Sequence, residues 1–274
     1  MKKIRFTKMS GAGNDFIVIT AQKGLNYKKL TTKVCDRTNG IGADGLLIVE
    51  KSRKADYKMR IINADGSEAE MCGNGARCFA AYVAKHLKPK KKIITFETLA
   101  GIIQGQIEGS SVNVHISDPS GYKPHVPIII NHRRIEVGYI DTGVPHAIVY
   151  VAGLDQIDVP LIGSAIRYHH RFKPRGANVN FVEQISPGLI QVRTYERGVE
   201  NETRACGTGS VAACIVTVLK AQPDLKDIKN AKMKVLTKSR EMLEISFDRI
   251  NKKIINVWLK GSAHFIATGE YYFS

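Results

Sequence analysis

One eight-residue pattern opens two separate apolar helical stretches, and this repetition limits the folds available to the chain. Glu68-Ala69-Glu70-Met71-Cys72-Gly73-Asn74-Gly75 and Glu202-Thr203-Arg204-Ala205-Cys206-Gly207-Thr208-Gly209 both read E-x-x-x-C-G-x-G, 134 residues apart. The same spacing carries Gly42-Ala43-Asp44 onto Gly176-Ala177-Asn178, Leu47-Ile48 onto Phe181-Val182, and residues 57–61 onto 191–195. Chance likeness between glycine-rich turns would not keep a common offset. A period of this length is far too long for a solenoid. It implies an internal duplication, with two similar domains that each take about half of the 274 residues, an ordinary domain size.

The stretches behind the two motifs, residues 75–87 and 209–221, are apolar on nearly every face and rich in Ala and Cys. A helix of that kind is predicted to be buried, and its small residues would let strands pack closely against it. Two further helices are expected near Lys28 to Thr38 and Pro160 to His170. Strand-like apolar runs recur at 16–19, 46–49, 93–96, 128–130, 147–151, 190–195 and 254–259, separated by Gly, Pro, Asn and Asp clusters.

Composition excludes several classes. A chain with 43% hydrophobic and 24% charged residues is neither disordered nor fibrous. No apolar run approaches the roughly 20 residues that a bilayer span requires. The start, Met1-Lys2-Lys3-Ile4-Arg5-Phe6-Thr7-Lys8, has positive charge but no signal-peptide apolar region behind it. A cytoplasmic protein without a membrane partner is expected. Five cysteines with no CxxC pair argue against a disulfide framework and a zinc ribbon. The net charge of +16 raises the question of nucleic acid. The basic residues are scattered, apart from Lys88-Pro89-Lys90-Lys91-Lys92, and aromatics make up only 7%. A solvated lysine-rich surface is the simpler reading, and no nucleic-acid partner is expected.

Cys72 and Cys206 each sit at a loop-to-helix junction, where first-turn N–H groups have no intrahelical partner. These donors and the helix dipole favour a thiolate. Gly73, Gly75, Gly207 and Gly209 would leave them open to a carboxylate. Two related domains facing each other would set two activated sulfurs across one cleft. One sulfur could take a proton from a carbon while the other delivers a proton to the opposite face, a two-base inversion by general acid–base chemistry. Such a reaction needs neither pyridoxal phosphate nor a metal, and no clear site for either stands in the sequence. Cys35, Cys78 and Cys214 read as core residues. Gly40-Ile41-Gly42-Ala43-Asp44-Gly45 satisfies the dinucleotide string, but an apolar strand follows it where a helix should open.

These features resemble the diaminopimelate epimerase family over nearly the whole chain. The resemblance rests on Phe6-Thr7-Lys8-Met9 running into Gly13-Asn14-Asp15-Phe16, on Cys35-Asp36-Arg37 with residues 40–45, and on the long match from Asn63 to Cys78. It continues through Asn178-Val179-Asn180-Phe181 and Arg193-Thr194-Tyr195-Glu196-Arg197-Gly198-Val199-Glu200 to Ala205-Cys206-Gly207-Thr208-Gly209. It implies an α/β fold of two pseudo-symmetric domains, each a curved mixed β-sheet wrapped around a central buried helix, with the active site in the inter-domain cleft. The domains would be 1–117, joined by a returning last strand at 263–274, and 118–262. The implied activity is cofactor-independent interconversion of LL- and meso-2,6-diaminopimelate, in lysine and peptidoglycan precursor biosynthesis. The implied assembly is a homodimer.

Carried over by position, the resemblance makes Cys72 and Cys206 the base/acid pair. Asn14, Asn63 and Asn178 would hydrogen-bond the substrate. Gly73, Asn74, Gly207 and Thr208 would hold the reacting carboxylate. Arg197 would grip the distal carboxylate, and Glu196 would lie near the reacting amino group. His146, with Glu196, would influence thiol ionisation. Val144 stands where many members carry an Asn, and Gly45 where some carry Gln. The nearest alternative is another two-cysteine amino-acid racemase of the same fold. Arg197 with Asn63 and Asn178 favours a substrate with a second amino-acid head.

Overall fold

Leu46-Leu47-Ile48-Val49 is apolar at every position, and such a strand must be covered on both faces. The computed structural model, which describes residues 2–273, supplies a helix for each face. The chain divides into two units, Met1–His115 with Lys260–Ser274, and Ile116–Leu259. The first runs β1 (Lys2–Gly11), β2 (Asn14–Thr20), α1 (Tyr27–Val34), β3 (Gly45–Glu50), β4 (Tyr57–Asn63), β5 (Glu68–Ala69), α2 (Gly73–His86), β6 (Ile93–Thr98), β7 (Gly101–Glu108) and β8 (Ser111–His115). Then follow β9 (Ser120–Ile130), β10 (Arg133–Asp141), β11 (Pro145–Tyr150), α3 (Val159–Arg167), β12 (Asn178–Ser186), β13 (Leu189–Glu196), β14 (Asn201–Thr203), α4 (Gly207–Ala221), β15 (Ile228–Thr237), β16 (Met242–Ile250) and β17 (Lys253–Ser262). The last strand, β18 (His264–Phe273), pairs antiparallel with β1.

Both units pair their strands in the same succession. In the first, β1–β2 is antiparallel, β2–β3 parallel, β3–β4 antiparallel and β4–β6 parallel, and β6–β7–β8 form a meander. In the second, β10–β11 is antiparallel, β11–β12 parallel, β12–β13 antiparallel, β13–β15 parallel and β15–β16 antiparallel. The fold is mixed α/β, with this succession of paired strands in each unit.

In each unit one helix lies inside the sheet's curve. Helix α2 touches β1, β2, β3, β4, β6, β7 and β8, and α4 touches β9 to β13, β15 and β16. The all-round apolar character predicted for these helices reflects that enclosure. Close approach requires small residues: a Cβ added at Gly105 on β7 would lie 2.6 Å from Ala80 Cβ on α2. The other faces are covered by α1 and α3. Leu46 and Ile48 join Leu30 and Val34 of α1 in one cluster, and Val179, Phe181 and Tyr195 join Val159 and Ile166 of α3 in another.

The outer helices are shorter than the sequence patterns suggest. Helix α1, capped by Asn26 Oδ1 on Lys29 N, stops at Val34 rather than Thr38, because Ile41 N and Gly42 N fold back to donate to Val34 O. Helix α3, capped by Asp158, stops at Arg167, and residues 170–172 form a separate 3-10 turn.

Strand register corrects the single repeat offset. Leu46 pairs with Ile62, and Val179 with Tyr195, so the strands correspond at 133 residues. Ile62 pairs with Glu68, and Tyr195 with Glu202, so the short strands before the cysteines correspond at 134. The β13–β14 connection is one residue longer than β4–β5. A one-residue slip changes the face of every side chain. Leu47 accordingly lies under Gly75 of α2, whereas Phe181 packs on the α3 side.

Candidate active site

Each motif cysteine is the N-cap of an inner helix. Cys72 caps α2 and Cys206 caps α4, both in extended backbone conformation. Cys206 is buried and its Sγ accepts from Gly209 N at 3.3 Å, with Thr208 Oγ1 at 3.5 Å. An N–H aimed at sulfur suits a thiolate. The Gly209 donor is therefore committed to sulfur and is not open to a ligand as expected. Cys72 is half-buried and makes no side-chain cap bond. Cys35, Cys78 and Cys214 are buried, and burial pushes the Cys35 thiol up to about 12 and the Cys214 thiol higher still. Neither of the latter two suits a base at neutral pH.

Beside Cys72, a directed chain of hydrogen bonds orients two of the predicted asparagines. Arg77, fully buried on α2, donates through Nη2 to Asn74 Oδ1 at 2.8 Å. A guanidinium has no acceptor, so Asn74 must turn its amide nitrogen the other way. That nitrogen donates to Asn14 Oδ1 at 2.6 Å, and Asn14 Nδ2 donates to Asp44 Oδ2 at 2.9 Å. Arg37 closes the chain, reaching Asp44 at 2.7 Å and Asp15 at 2.8 Å, while Lys8 lies 3.1 Å from Asp15. Burial alone would raise the Asp15 carboxyl, but Arg37 and Lys8 outweigh it and hold it below the usual range. Asn63 stands apart from this chain. It is exposed at the end of β4, with Nδ2 donating to Ser67 Oγ at 3.0 Å across the turn to β5. Gly45 pairs with Asn63, and a Cβ there would lie 2.9 Å from Ile62 O, so no side chain fits without moving the strand.

In the second unit, strand alternation places Asn178 and Asn180 of β12 and Thr194 and Glu196 of β13 on the side toward α4. Asn178 is buried and its Oδ1 accepts from Arg197 N at 2.7 Å, which fixes the turn that carries Arg197. The Arg197 side chain reaches Arg175 O at 3.5 Å. Burial raises the Glu196 carboxyl above its ordinary value. His146 is wholly buried, and burial, aided by the Arg197 charge, pushes it down to about 3. Its Nδ1 lies 3.1 Å from Asn180 Nδ2. Gly207 and Thr208 form the first turn of α4, where Thr208 O accepts from Thr142 Oγ1 at 3.4 Å. Val144 lies in the turn before β11, its carbonyl accepting from Thr142 N.

Sequence reading passed over Arg77, Asp44, Asn180 and Thr194, which orient the predicted residues. One signal was present: Asn180 lies between the apolar residues Val179 and Phe181, and a buried amide needs partners.

The sequence profile of the family described as "Diaminopimelate epimerase" matches residues 6–120 and 138–266. The chain belongs to the diaminopimelate epimerase family. It is 39% identical over 282 residues to the diaminopimelate epimerase of Aquifex aeolicus (strain VF5), covering 97% of each chain. It is 44% identical over 233 residues to that of Caldanaerobacter subterraneus subsp. tengcongensis, covering 79% of this chain and 84% of the relative. Among solved structures, a phenazine biosynthesis protein of the PhzF family from Bacillus anthracis superposes with a TM-score of 0.76 at 17% identity, over 100% of both chains. A probable proline racemase from Agrobacterium radiobacter K84 gives 0.74 at 15%, over 99% of this chain and 93% of that one. At these identities the structural likeness is one of fold. As a diaminopimelate epimerase family member the chain is an isomerase. Among the described residues, no helix is long and apolar enough to cross a membrane.

Proposed function

We propose that the chain interconverts LL- and meso-2,6-diaminopimelate without a cofactor, using Cys72 and Cys206 as a two-base pair. A thiolate removes the α-hydrogen of one centre as a proton, and the electron pair left behind delocalises into the α-carboxylate. The second thiol then gives its proton to the opposite face of the carbon. The two sulfurs end with their protonation states exchanged. The observation that carries this reading is the recurrence of a cysteine N-cap on both inner helices, in a chain whose family match includes both motifs.

The other residues divide the work by chemistry. First-turn N–H groups at Gly73, Asn74, Gly207 and Thr208 are donors for the reacting carboxylate, whose charge grows as the proton leaves. Asn14, Asn63 and Asn178 supply amides to the ammonium and carboxylate groups. Arg197 is a bidentate partner for the distal carboxylate. Glu196 serves the reacting amino group, and His146 the ionisation of a thiol. The substrate is a small molecule made and used in the cytoplasm, for lysine and peptidoglycan precursor synthesis, and the working assembly is a homodimer.

Incubation of the reduced protein with LL-diaminopimelate in D₂O, followed by isomer separation and mass analysis, tests the reading. Deuterium appearing early in the meso product, with little in recovered LL substrate, is expected. Rapid deuteration of the LL substrate would refute the two-base step. Turnover of proline or hydroxyproline in place of diaminopimelate would move the chain to the other two-cysteine racemases.

A further inference from the structure

A buried imidazole with one nitrogen engaged and the other without a partner must hold its proton on one of them. Which one is decided by neighbours on the same sheet face. Asn180 and Thr194 are direct cross-strand partners on β12 and β13. The Thr194 hydroxyl donates to Asn180 Oδ1 at 3.0 Å. Asn180 Nδ2 lies 3.3 Å from Ala147 O and 3.1 Å from His146 Nδ1. A carbonyl oxygen can only accept, so the amide atom facing Ala147 O must be the nitrogen. That nitrogen donates to His146 as well, and Nδ1 is therefore the ring's acceptor. The proton of the neutral ring sits on Nε2.

The rest of the environment keeps the ring neutral. Burial and the Arg197 guanidinium both oppose a positive imidazole. Asn180 is itself held in place. It is fully buried, and the first turn of α4 closes over its Oδ1 so tightly that a Cβ at Gly209 would come within 2.2 Å. Among the described residues, His146 Nε2 is a buried atom with no hydrogen-bond partner. A buried donor left empty costs free energy, which an incoming acceptor would recover.

We infer that Asn180 is a positioning residue that locks His146 in its neutral, Nε2-protonated form, so that the ring presents a fixed hydrogen-bond donor to an anion of the reaction. This rests on the functional reading above and sharpens the part played by His146. The ring steadies a negative charge and does not accept the thiol's proton. An imidazole free to choose its tautomer would do either. The lock removes the choice, and the same amide that selects the tautomer also abuts the helix turn that begins at Cys206.

The test is long-range 1H–15N NMR on protein labelled with 15N-histidine, with the His146→Gln variant used to assign the ring. The native ring should show a protonated Nε2 and an unprotonated Nδ1, unchanged between pH 5 and 8. Asn180→Asp replaces the donor by an acceptor. It should move the proton to Nδ1, make Nε2 a titrating site and lower kcat/KM by about 10²-fold or more, as removal of an oxyanion donor does. Thr194→Val, close to isosteric, removes the donor to Asn180 Oδ1 but leaves Ala147 O facing the amide nitrogen, and should keep the Nε2 proton with a smaller loss of activity. Iodoacetamide alkylation against pH identifies the anion. A rise in the pH at which the thiols react in Asn180→Asp marks a thiolate, and a rise in KM alone marks the substrate carboxylate. A native ring protonated on Nδ1, a native ring that titrates in this range, or a native-like ring in Asn180→Asp would overturn the inference. The NMR readout needs no substrate, so a protein inactive on diaminopimelate but with the expected tautomer would refute the functional reading alone.

Discussion

Replacing Gly209 by alanine should destabilise this protein, although the same change in most helices adds up to about 1 kcal/mol. An ideal Cβ at position 209 would lie 2.2 Å from Asn180 Oδ1 and 3.2 Å from both Cβ and Sγ of Cys206. Favourable contact begins near 3.5 Å, so Asn180 or the first turn of α4 must retreat by roughly 1 Å. Asn180 cannot swing aside freely, because Thr194, Ala147 and His146 all hold its amide. Overpacking costs about 1–3 kcal/mol, and leaving a buried polar group unsatisfied costs a similar amount. Against the helix-propensity gain, the net loss should be about 3 kcal/mol. Gly75→Ala is the matched control. There the added Cβ would lie 3.2 Å from Leu47 Cδ2 and 3.3 Å from Ile61 Cδ1, the ends of side chains that can give by a few tenths of an ångström. It should stay within about 1 kcal/mol of the native protein. Urea unfolding reads both through the midpoint at constant m. Adding Asn180→Ala to Gly209→Ala should recover part of the loss, a positive coupling of about 1–2 kcal/mol. Equal stability of the two alanine variants, or a cycle with no coupling, would refute the argument.

Cys72→Ala and Cys206→Ala should each abolish epimerisation of diaminopimelate while leaving the urea midpoint near native, and a single variant with near-native rate would remove the two-base assignment. Arg197→Lys should raise KM more than it lowers kcat, because a point charge replaces a fork that can grip a carboxylate with two bonds; an unchanged KM would take Arg197 off the substrate. Glu202 receives two bonds from Arg193, at 2.7 and 2.9 Å, and one from Lys238. Burial alone would raise its carboxyl, yet these cations hold it below the ordinary range. A carboxyl depressed in the folded state contributes stability above its unfolded value, about 4.3, and loses that contribution as pH falls through the folded value. Glu202→Gln should therefore destabilise the protein at neutral pH, by about 1–3 kcal/mol, less than a fully buried pair because Lys238 is exposed. Below pH of about 5 its urea midpoint should fall less steeply than the native one; parallel acid limbs would show that Glu202 carries no such linkage.

The inner helices, the duplication and the cysteine caps were legible because each leaves a local pattern. Enclosure on all sides forces an apolar helix, and a sharp helix start forces glycine near the cap. The outer helices were legible in place but not in length. Helix α1 ends where Val34 O takes two donors from residues 41 and 42; the signal was Asp36, whose side chain accepts from Thr38 N and Asn39 N and turns the chain there. The offset of 134 was read from motifs at helix starts, and there it holds. It fails by one residue in β3 and β4 because an insertion in a hairpin turn leaves the hydrophobic composition unchanged. Only pairing reveals that such an insertion has exchanged the two faces of a strand.

The polar residues of β12 explain why orientation within the site was hidden. Asn178 and Asn180 are both buried on one strand, two residues apart and so on one face. In sequence they look alike. In the fold they do different things: Asn178 takes the Arg197 backbone N–H, and Asn180 divides its amide between His146, Ala147 and Thr194. The first is set by a neighbour at the strand's end, the second by residues on the strands to either side. A hydrogen-bonded cluster of this kind is defined by register, and register depends on every turn before it. The amide of Asn180 and the carbonyl of Ala147 meet only because β11 and β12 run parallel with His146 opposite Asn178. Shift that pairing by one residue and His146 would face the α3 cluster, where no amide waits for it. Strand register thus decides which atoms of Asn180 and His146 face each other.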